Sequence, residues 1–285
     1  MPGLGPDDLV LTASSIGGPP FRVLCEAARA GGFAGLSLWP APVADEARAT
    51  GLTDDDRREL LAEHALVVHD VDAVVGWAGP GDPGPPYLQE APASLVHEVA
   101  VALGAGQVNA VLVGPKGTTH EALAEAVAAV CDRAAAHGLR VGFEFARASA
   151  LRSLDDALAV RALLPHHDVG ITVDTWQLHW GPSTVADLAS APGDAIRCVQ
   201  VDDAPATRPD DLLRATYEGR LVPGEGAADL VGAVRALDAI GSAGPLTVEA
   251  INADLVARTD PVALARRLGD ATRGVVARAR RDTGG

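Results

Sequence analysis

Eight times along the chain a short apolar run is followed by a helical stretch, and this alternation constrains the fold more than any other feature. Leu9 to Thr12 is the first run, and Phe21 to Ala30 its helix, closed by the stop signal Gly31-Gly32. Phe33 to Leu38 ends at Trp39-Pro40 and is followed by a helix over Asp54 to His64. Leu66 to Val68 is the third strand, with His69, Asp70 and Asp72 just after it. A Gly/Pro-rich loop, Gly79 to Pro86, and a helix from Pro92 to Leu103 come next. Val108 to Val113 leads into Gly114-Pro115-Lys116-Gly117 and an amphipathic helix over Thr119 to His137. The second half keeps the rhythm with strands at Val141 to Phe145, Gly170 to Val173, Ile196 to Val199 and Pro245 to Val248. Their helices run over Leu154 to Leu164, near Thr184 to Ser190, over Ala227 to Ala239, and over Pro261 to Arg278. Strands alternating with helices predict a parallel sheet, and eight such units predict a closed (β/α)8 TIM barrel. No GxGxxG turn follows the first strand, which weighs against an open doubly wound sheet. With no linker and no longer repeat, residues 1–285 read as a single barrel domain.

Four consecutive strands of the second half finish on an oxygen-bearing side chain: Glu144, Asp174, Gln200 and Glu249. An unpaired carboxylate inside a core is very costly, so each belongs where its strand leaves the core. In a barrel those ends converge on one face, the face that holds the active site. Three carboxylates and an amide oxygen form a hard-oxygen set suited to Mg²⁺ or Mn²⁺. Any one of the carboxylates, taken alone, serves equally well as an arginine partner or a helix cap; four in consecutive units favour a shared site.

Composition narrows the partners. A net charge of −15 repels phosphate backbones and argues against nucleic acid. Cys25, Cys131 and Cys198 are far apart and form no CxxC pair, which disfavours a disulfide framework or thiolate zinc site and makes a reducing cytoplasm the default. The first residues lack the basic start and apolar run of a signal peptide, and no apolar run is long enough to span a bilayer. The expected partner is a small-molecule substrate, with a homo-oligomer left open.

Five stretches together resemble the xylose isomerase-like TIM barrels: Val141-Gly142-Phe143-Glu144-Phe145, Val173-Asp174-Thr175-Trp176, Val199 to Ala204, Arg220 to Gly226, and Thr247-Val248-Glu249-Ala250. That family includes sugar and sugar-phosphate isomerases and epimerases, hydroxypyruvate isomerase, inosose dehydratase and bacterial 3-dehydroshikimate dehydratase. The resemblance covers most of residues 105–275 and places the family's metal ligands on Glu144, Asp174, Gln200 and Glu249. Gln at the third position is similar to the hydroxypyruvate isomerase and dehydroshikimate dehydratase branches. Many relatives carry Asp-Thr-Trp-His followed soon by Arg, where this chain has Gln177 and Trp180. His179 stands two residues on and would face the same side of an extended chain; it either takes the missing histidine's role or is an ordinary loop histidine.

Further substrate-binding candidates each have a plainer alternative. His69 faces a substrate or is a hydrogen-bonded structural histidine; Lys116 holds an anion or is solvated. Trp39, Trp77 and Trp176 wall a pocket or simply pack. Arg220 binds a substrate carboxylate or phosphate, or pins its loop by pairing with Glu225 or Asp203. The resemblance implies a divalent-metal-dependent isomerase or epimerase acting on a sugar or related polyhydroxylated carbonyl compound through an enediolate. Glu144 and Glu249 would lie on opposite sides of the substrate, one taking the proton and the other returning it. A metal-dependent dehydratase (a lyase) is the alternative, because the same constellation serves loss of a β-hydroxyl. A metal-dependent endonuclease of the same barrel type would want a basic groove, and a non-catalytic barrel is the remaining rival.

Overall fold

The computed structural model describes residues 4–77, 93–115 and 117–281. The predicted loop Gly79 to Pro86, Pro92 and Lys116 lie outside the described residues. In order, the elements are β1 (Leu9–Thr12), α1 (Phe21–Ala30), β2 (Gly35–Leu38), α2 (Pro40–Thr50), α3 (Asp54–Glu63), β3 (Val67–Trp77), α4 (Ala93–Leu103) and β4 (Gln107–Val113). They continue with α5 (His120–Ala135), β5 (Arg140–Glu144), α6 (Leu154–Ala162), β6 (Val169–Asp174), α7 (Thr175–Trp180), α8 (Val185–Ala189) and β7 (Ile196–Val201). The last are α9 (Leu212–Glu218), α10 (Leu230–Ile240), β8 (Leu246–Val248), α11 (Ala253–Arg258) and α12 (Pro261–Arg281). The eight strands pair in sequence order, all parallel, and β8 closes on β1. No described helix is long and apolar enough to cross a membrane.

Local chemistry sets the helix starts. Thr53, Thr119, Ser153, Thr184 and Asp229 each accept a backbone N–H of the first helical turn, which satisfies donors that no carbonyl of the helix can reach. Strand alternation then sorts the side chains into two layers. Val141 and Phe143, Ile171 and Val173, Val199 and Val201, and Leu246 and Val248 are buried among the helices. Burying such side chains is worth about 1.5–3 kcal/mol each, so this outer layer holds the barrel together.

The alternate residues fill the lumen, and they are polar. Thr172 Oγ1 donates to Asn109 Oδ1 (2.7 Å), Asn109 Nδ2 to Asp72 Oδ1 (3.1 Å) and Gln200 Nε2 to Asp72 Oδ2 (3.3 Å), linking β6, β4, β3 and β7. Lower in the lumen, Cys198 Sγ lies 3.8 Å from Asp70 Oδ2 and 3.6 Å from Thr247 Oγ1.

The structure corrects the reading of β3. The strand does not end at Val68; it runs to Trp77, with His69, Asp70 and Asp72 inside it. Its register against β4 shifts between Val71 and Val74, so one extra residue of β3 is accommodated there. Asp70 and Asp72, two residues apart, face the same side of the strand, and both enter hydrogen bonds across the lumen. Four helices were also unread in the sequence: α2, α7, α9 and α11.

Candidate functional site

The organising group of the upper lumen is Arg220, which is 4% exposed. Its Nη1 lies 3.0 Å from Asp174 Oδ2 and 3.1 Å from Glu249 Oε2, and it donates to Asp202 Oδ2. The sequence offered Glu225 or Asp203 as its partner; the structure gives neither. Glu225 pairs with Arg267 on the surface, and Asp203 accepts backbone amides instead. The Arg220 Nε donates to Thr216 O at 2.8 Å, and its guanidinium carbon stands 5.9 Å from the Trp176 ring centroid. Burial works against the guanidinium's charge, and Asp174, Asp202, Glu249 and Glu144 outweigh it, so Arg220 stays protonated.

The four strand-end residues take distinct places around this cation. Asp174 closes β6 and caps α7, its Oδ1 accepting Trp176 N at 2.8 Å, which leaves Oδ2 for Arg220. Burial, together with Asp174 and Asp72, pushes the Glu144 carboxyl well up, against the opposing pull of Arg220 and an Asn109 hydrogen bond. Burial also pushes Glu249 well up; Arg220 pulls it down, and Asp72, Asp174 and Glu144 push it further up. Gln200 is 2% exposed, and its Oε1 is buried with no hydrogen-bond partner. Sequence reasoning missed two carboxylates of this cluster. Asp202 is held through Thr175, whose Oγ1 donates to its backbone oxygen at 2.8 Å. Asp72 rises to about 7 through burial and the nearby Asp70.

Asp72, Glu144, Asp174, Asp202 and Glu249 thus crowd around one guanidinium, and most of their charge is left uncompensated. The orphaned Gln200 Oε1 faces the same cost as any buried acceptor without a donor. Hard oxygens in excess of positive charge, with one neutral oxygen unsatisfied, fit a divalent cation. Glu144, Asp174, Gln200 and Glu249 are the residues that would hold it.

The other sequence candidates fall elsewhere. Trp176 is 1% exposed, donates Nε1–H to Thr216 Oγ1 at 3.0 Å and backs Arg220. The extended-chain argument for His179 fails because α7 is helical, which sets Gln177 and His179 about 200° apart. Gln177 Oε1 accepts Arg147 N at 3.1 Å, in the loop after β5. His179 instead lines a cavity of about 310 Å³ between α7, α8 and α10, with Thr184, Val185, Leu230 and Ala233.

His69 lies level with the first residues of β4 and β5, away from the strand ends that carry the acidic cluster. Its Nε2 is 3.2 Å from Gln107 Nε2 and 3.8 Å from Asp70 Oδ2. His69, Asp70 and Cys198 have ligand-capable atoms within 4.8 Å of one another. Within this grouping Cys198 Sγ lies 3.8 Å from Asp70 Oδ2, and Asp70 Oδ1 is buried without a hydrogen-bond partner. Burial and the Arg140 charge lower His69 to about 4, and burial raises Asp70 to about 6, so the two form no ion pair between those values.

A family model described as xylose isomerase-like TIM barrel matches residues 25–271. The chain belongs to the xylose isomerase-like TIM barrels. Within curated proteins it is similar to a 3-dehydroshikimate dehydratase of Pseudomonas aeruginosa, 33% identical over 134 residues, which is 46% of this chain and 20% of that protein. A 3-dehydroshikimate dehydratase of Pseudomonas putida is 31% identical over 125 residues, 42% of this chain and 19% of that one. The match therefore spans about a fifth of these relatives' length. Among solved structures, the IolI protein with a bound zinc atom superposes at a TM-score of 0.81 and 20% identity, over 95% of this chain and 99% of that one. D-allulose 3-epimerase from Methylomonas sp. superposes at 0.70 and 16% identity, over 96% and 100%. These two likenesses establish the fold.

Proposed function

We propose that the chain is a divalent-metal-dependent isomerase or epimerase that moves a proton next to the carbonyl of a sugar or related polyhydroxylated compound. The observation that carries this reading is the convergence of the β5, β6, β7 and β8 ends on one polar, cation-seeking site with a glutamate on either flank of the set. A cation of the Mn²⁺ or Mg²⁺ type, held by Glu144, Asp174, Gln200 and Glu249, supplies Lewis-acid polarisation of the substrate oxygens. Glu144 takes the proton from carbon, and Glu249 returns one to the neighbouring or the same carbon. A carboxyl raised above its ordinary value holds a proton more tightly, which suits a group that must take a proton and hand one back. Arg220 pulls against the burial that raises Glu249, and it presents a guanidinium beside the site for an oxygen-rich substrate.

A second reading, dehydration by loss of a β-hydroxyl after the same proton abstraction, is favoured by the likeness to the two 3-dehydroshikimate dehydratases. The test is proton exchange with deuterated solvent on a panel of ketoses, hydroxypyruvate and 3-dehydroshikimate, followed by NMR in the presence of Mn²⁺. Glu144→Gln is expected to abolish exchange, whereas Glu249→Gln retains exchange and fails to form product. Each loses turnover by ~10²–10⁴-fold. Near-normal turnover in both variants would rule out proton transfer by these glutamates.

A further inference from the structure

An amide ligand has a weakness that a carboxylate ligand does not. Only one of its two ends can bind a cation, and a half-turn of the last torsion exchanges them. Gln200 therefore needs a neighbour that distinguishes its oxygen from its nitrogen.

We infer that Asp72 is a positioning residue that holds the Gln200 amide with its oxygen toward the cation, an inference that rests on Gln200 being a ligand as proposed above. Asp72 Oδ2 accepts the Gln200 Nε2–H at 3.3 Å, and Gln200 Oε1 is the atom left buried without a partner. A flipped amide would set two acceptors against each other at Asp72 and present N–H to the cation, so both contacts oppose it. Asp72 is itself oriented. Its Oδ1 accepts from Asn109 Nδ2 at 3.1 Å, and Asn109 Oδ1 accepts from Thr172 Oγ1 at 2.7 Å. Asp72 accepts at both oxygens, so it fixes both the Asn109 and Gln200 flips. The device spans the lumen, from Asp72 on β3 to Gln200 on β7. Outer partners of this kind tune metal sites by orienting the ligands that touch the ion.

The experiment measures the affinity of Mn²⁺ alone by calorimetry and by its paramagnetic resonance signal, on the full chain. Four proteins are compared: wild type, Asp72→Asn, Gln200→Glu and the double variant. Loss of a ligand's outer partner costs ~10–100-fold in affinity, and Asp72→Asn is expected to fall in that range. A glutamate at position 200 offers oxygen at both ends, so in that background the same Asp72→Asn change is expected to cost no affinity. An equal loss in both backgrounds would assign the effect to the missing negative charge and overturn the orienting role. Unchanged Mn²⁺ affinity in Asp72→Asn, with wild type binding normally, would overturn it too while leaving the ligand set standing. A wild type that binds no Mn²⁺ would remove the ligand assignment and this inference together. Asp72→Ser, smaller and still able to accept one N–H, is expected to retain part of the wild-type affinity. It replaces Asp72→Asn in the cycle if that variant does not fold, and an equal loss from it in both backgrounds counts against the orienting role in the same way.

Discussion

Replacing Arg220 with methionine removes the cation shared by three buried carboxylates while keeping most of the side-chain volume. Asp174, Asp202 and Glu249 are each 5% exposed or less at the side chain, so none can recover its hydration by a small movement. Breaking a buried ion pair by deleting one partner typically costs ~3–5 kcal/mol. At about 2–4 °C per kcal/mol for chains of this size, the expected fall in midpoint is roughly 6–20 °C. The sign of the pH dependence follows from the carboxyls. Burial already raises the proton affinity of Asp202 and Glu249 and Arg220 opposes it, so without Arg220 it rises further, the variant gains more stability than wild type as protons bind, and the deficit shrinks on acidification. Thermal unfolding followed by circular dichroism from pH 8 to pH 5.5, with chelator in both samples, reads this directly. A variant within about 1 kcal/mol of wild type at pH 8, or a deficit that does not change with pH, would refute the claim that Arg220 is what makes these carboxylates tolerable; the first figure is the usual value of an exposed ion pair.

Two further outcomes are expected. Asp70 is raised to about 6, so it favours the folded state below the unfolded-state value and that contribution is lost as pH rises through about 6; His69, lowered to about 4, has a contribution that is lost as pH falls through about 4. Each amounts to ~3 kcal/mol and they oppose one another, so their joint contribution is nearly flat between these values, whereas Asp70→Asn should lose stability relative to wild type on acidification in urea titrations; parallel profiles would contradict this. Asp203→Ala should cost about 3 kcal/mol, because its carboxylate accepts N–H bonds from Ala204, Gly224, Gly226 and Ala228, and amide exchange at Gly224 and Gly226 should accelerate more than exchange in α12.

The parts of the site that were legible in the sequence share one property. Glu144, Asp174, Gln200 and Glu249 each interrupt an apolar run at its C-terminal end, and parallel strands closing into a barrel must bring such ends together. Asp72 and Asn109 lie within their strands, where a polar side chain reads either as a solvent-facing alternate or as the end of the strand. His69-Asp70 reads as the end of β3 for that reason. The lumen is a third environment, neither solvent nor apolar core, and alternation alone does not distinguish it from solvent. Helix α7 was missed because it begins on the very residue that ends β6: Asp174 serves as both strand end and cap, leaving no loop to announce a helix. The choice of Asp174, Asp202 and Glu249 over Glu225 as partners of Arg220 depends on distances that only closure of the barrel defines.

The Pro223-Gly224-Glu225-Gly226 turn has a consequence for timing. A Cβ on Gly226 would meet Ala204 O at 2.3 Å and Asp203 Oδ1 at 2.5 Å, so glycine lets the backbone close onto the Asp203 carboxylate. Just before this turn, Leu221 exchanges backbone hydrogen bonds with Asp203, and Arg220 is clasped by Ile251 O and the Asn252 amide. The arginine's main chain is therefore clamped on both sides, and Thr216 O holds its Nε. A long side chain free in water carries about 2 kcal/mol of rotameric entropy. Here most of that freedom is surrendered as the chain folds, so the guanidinium is immobilised beforehand, and a ligand docking against it would not have to arrest it first.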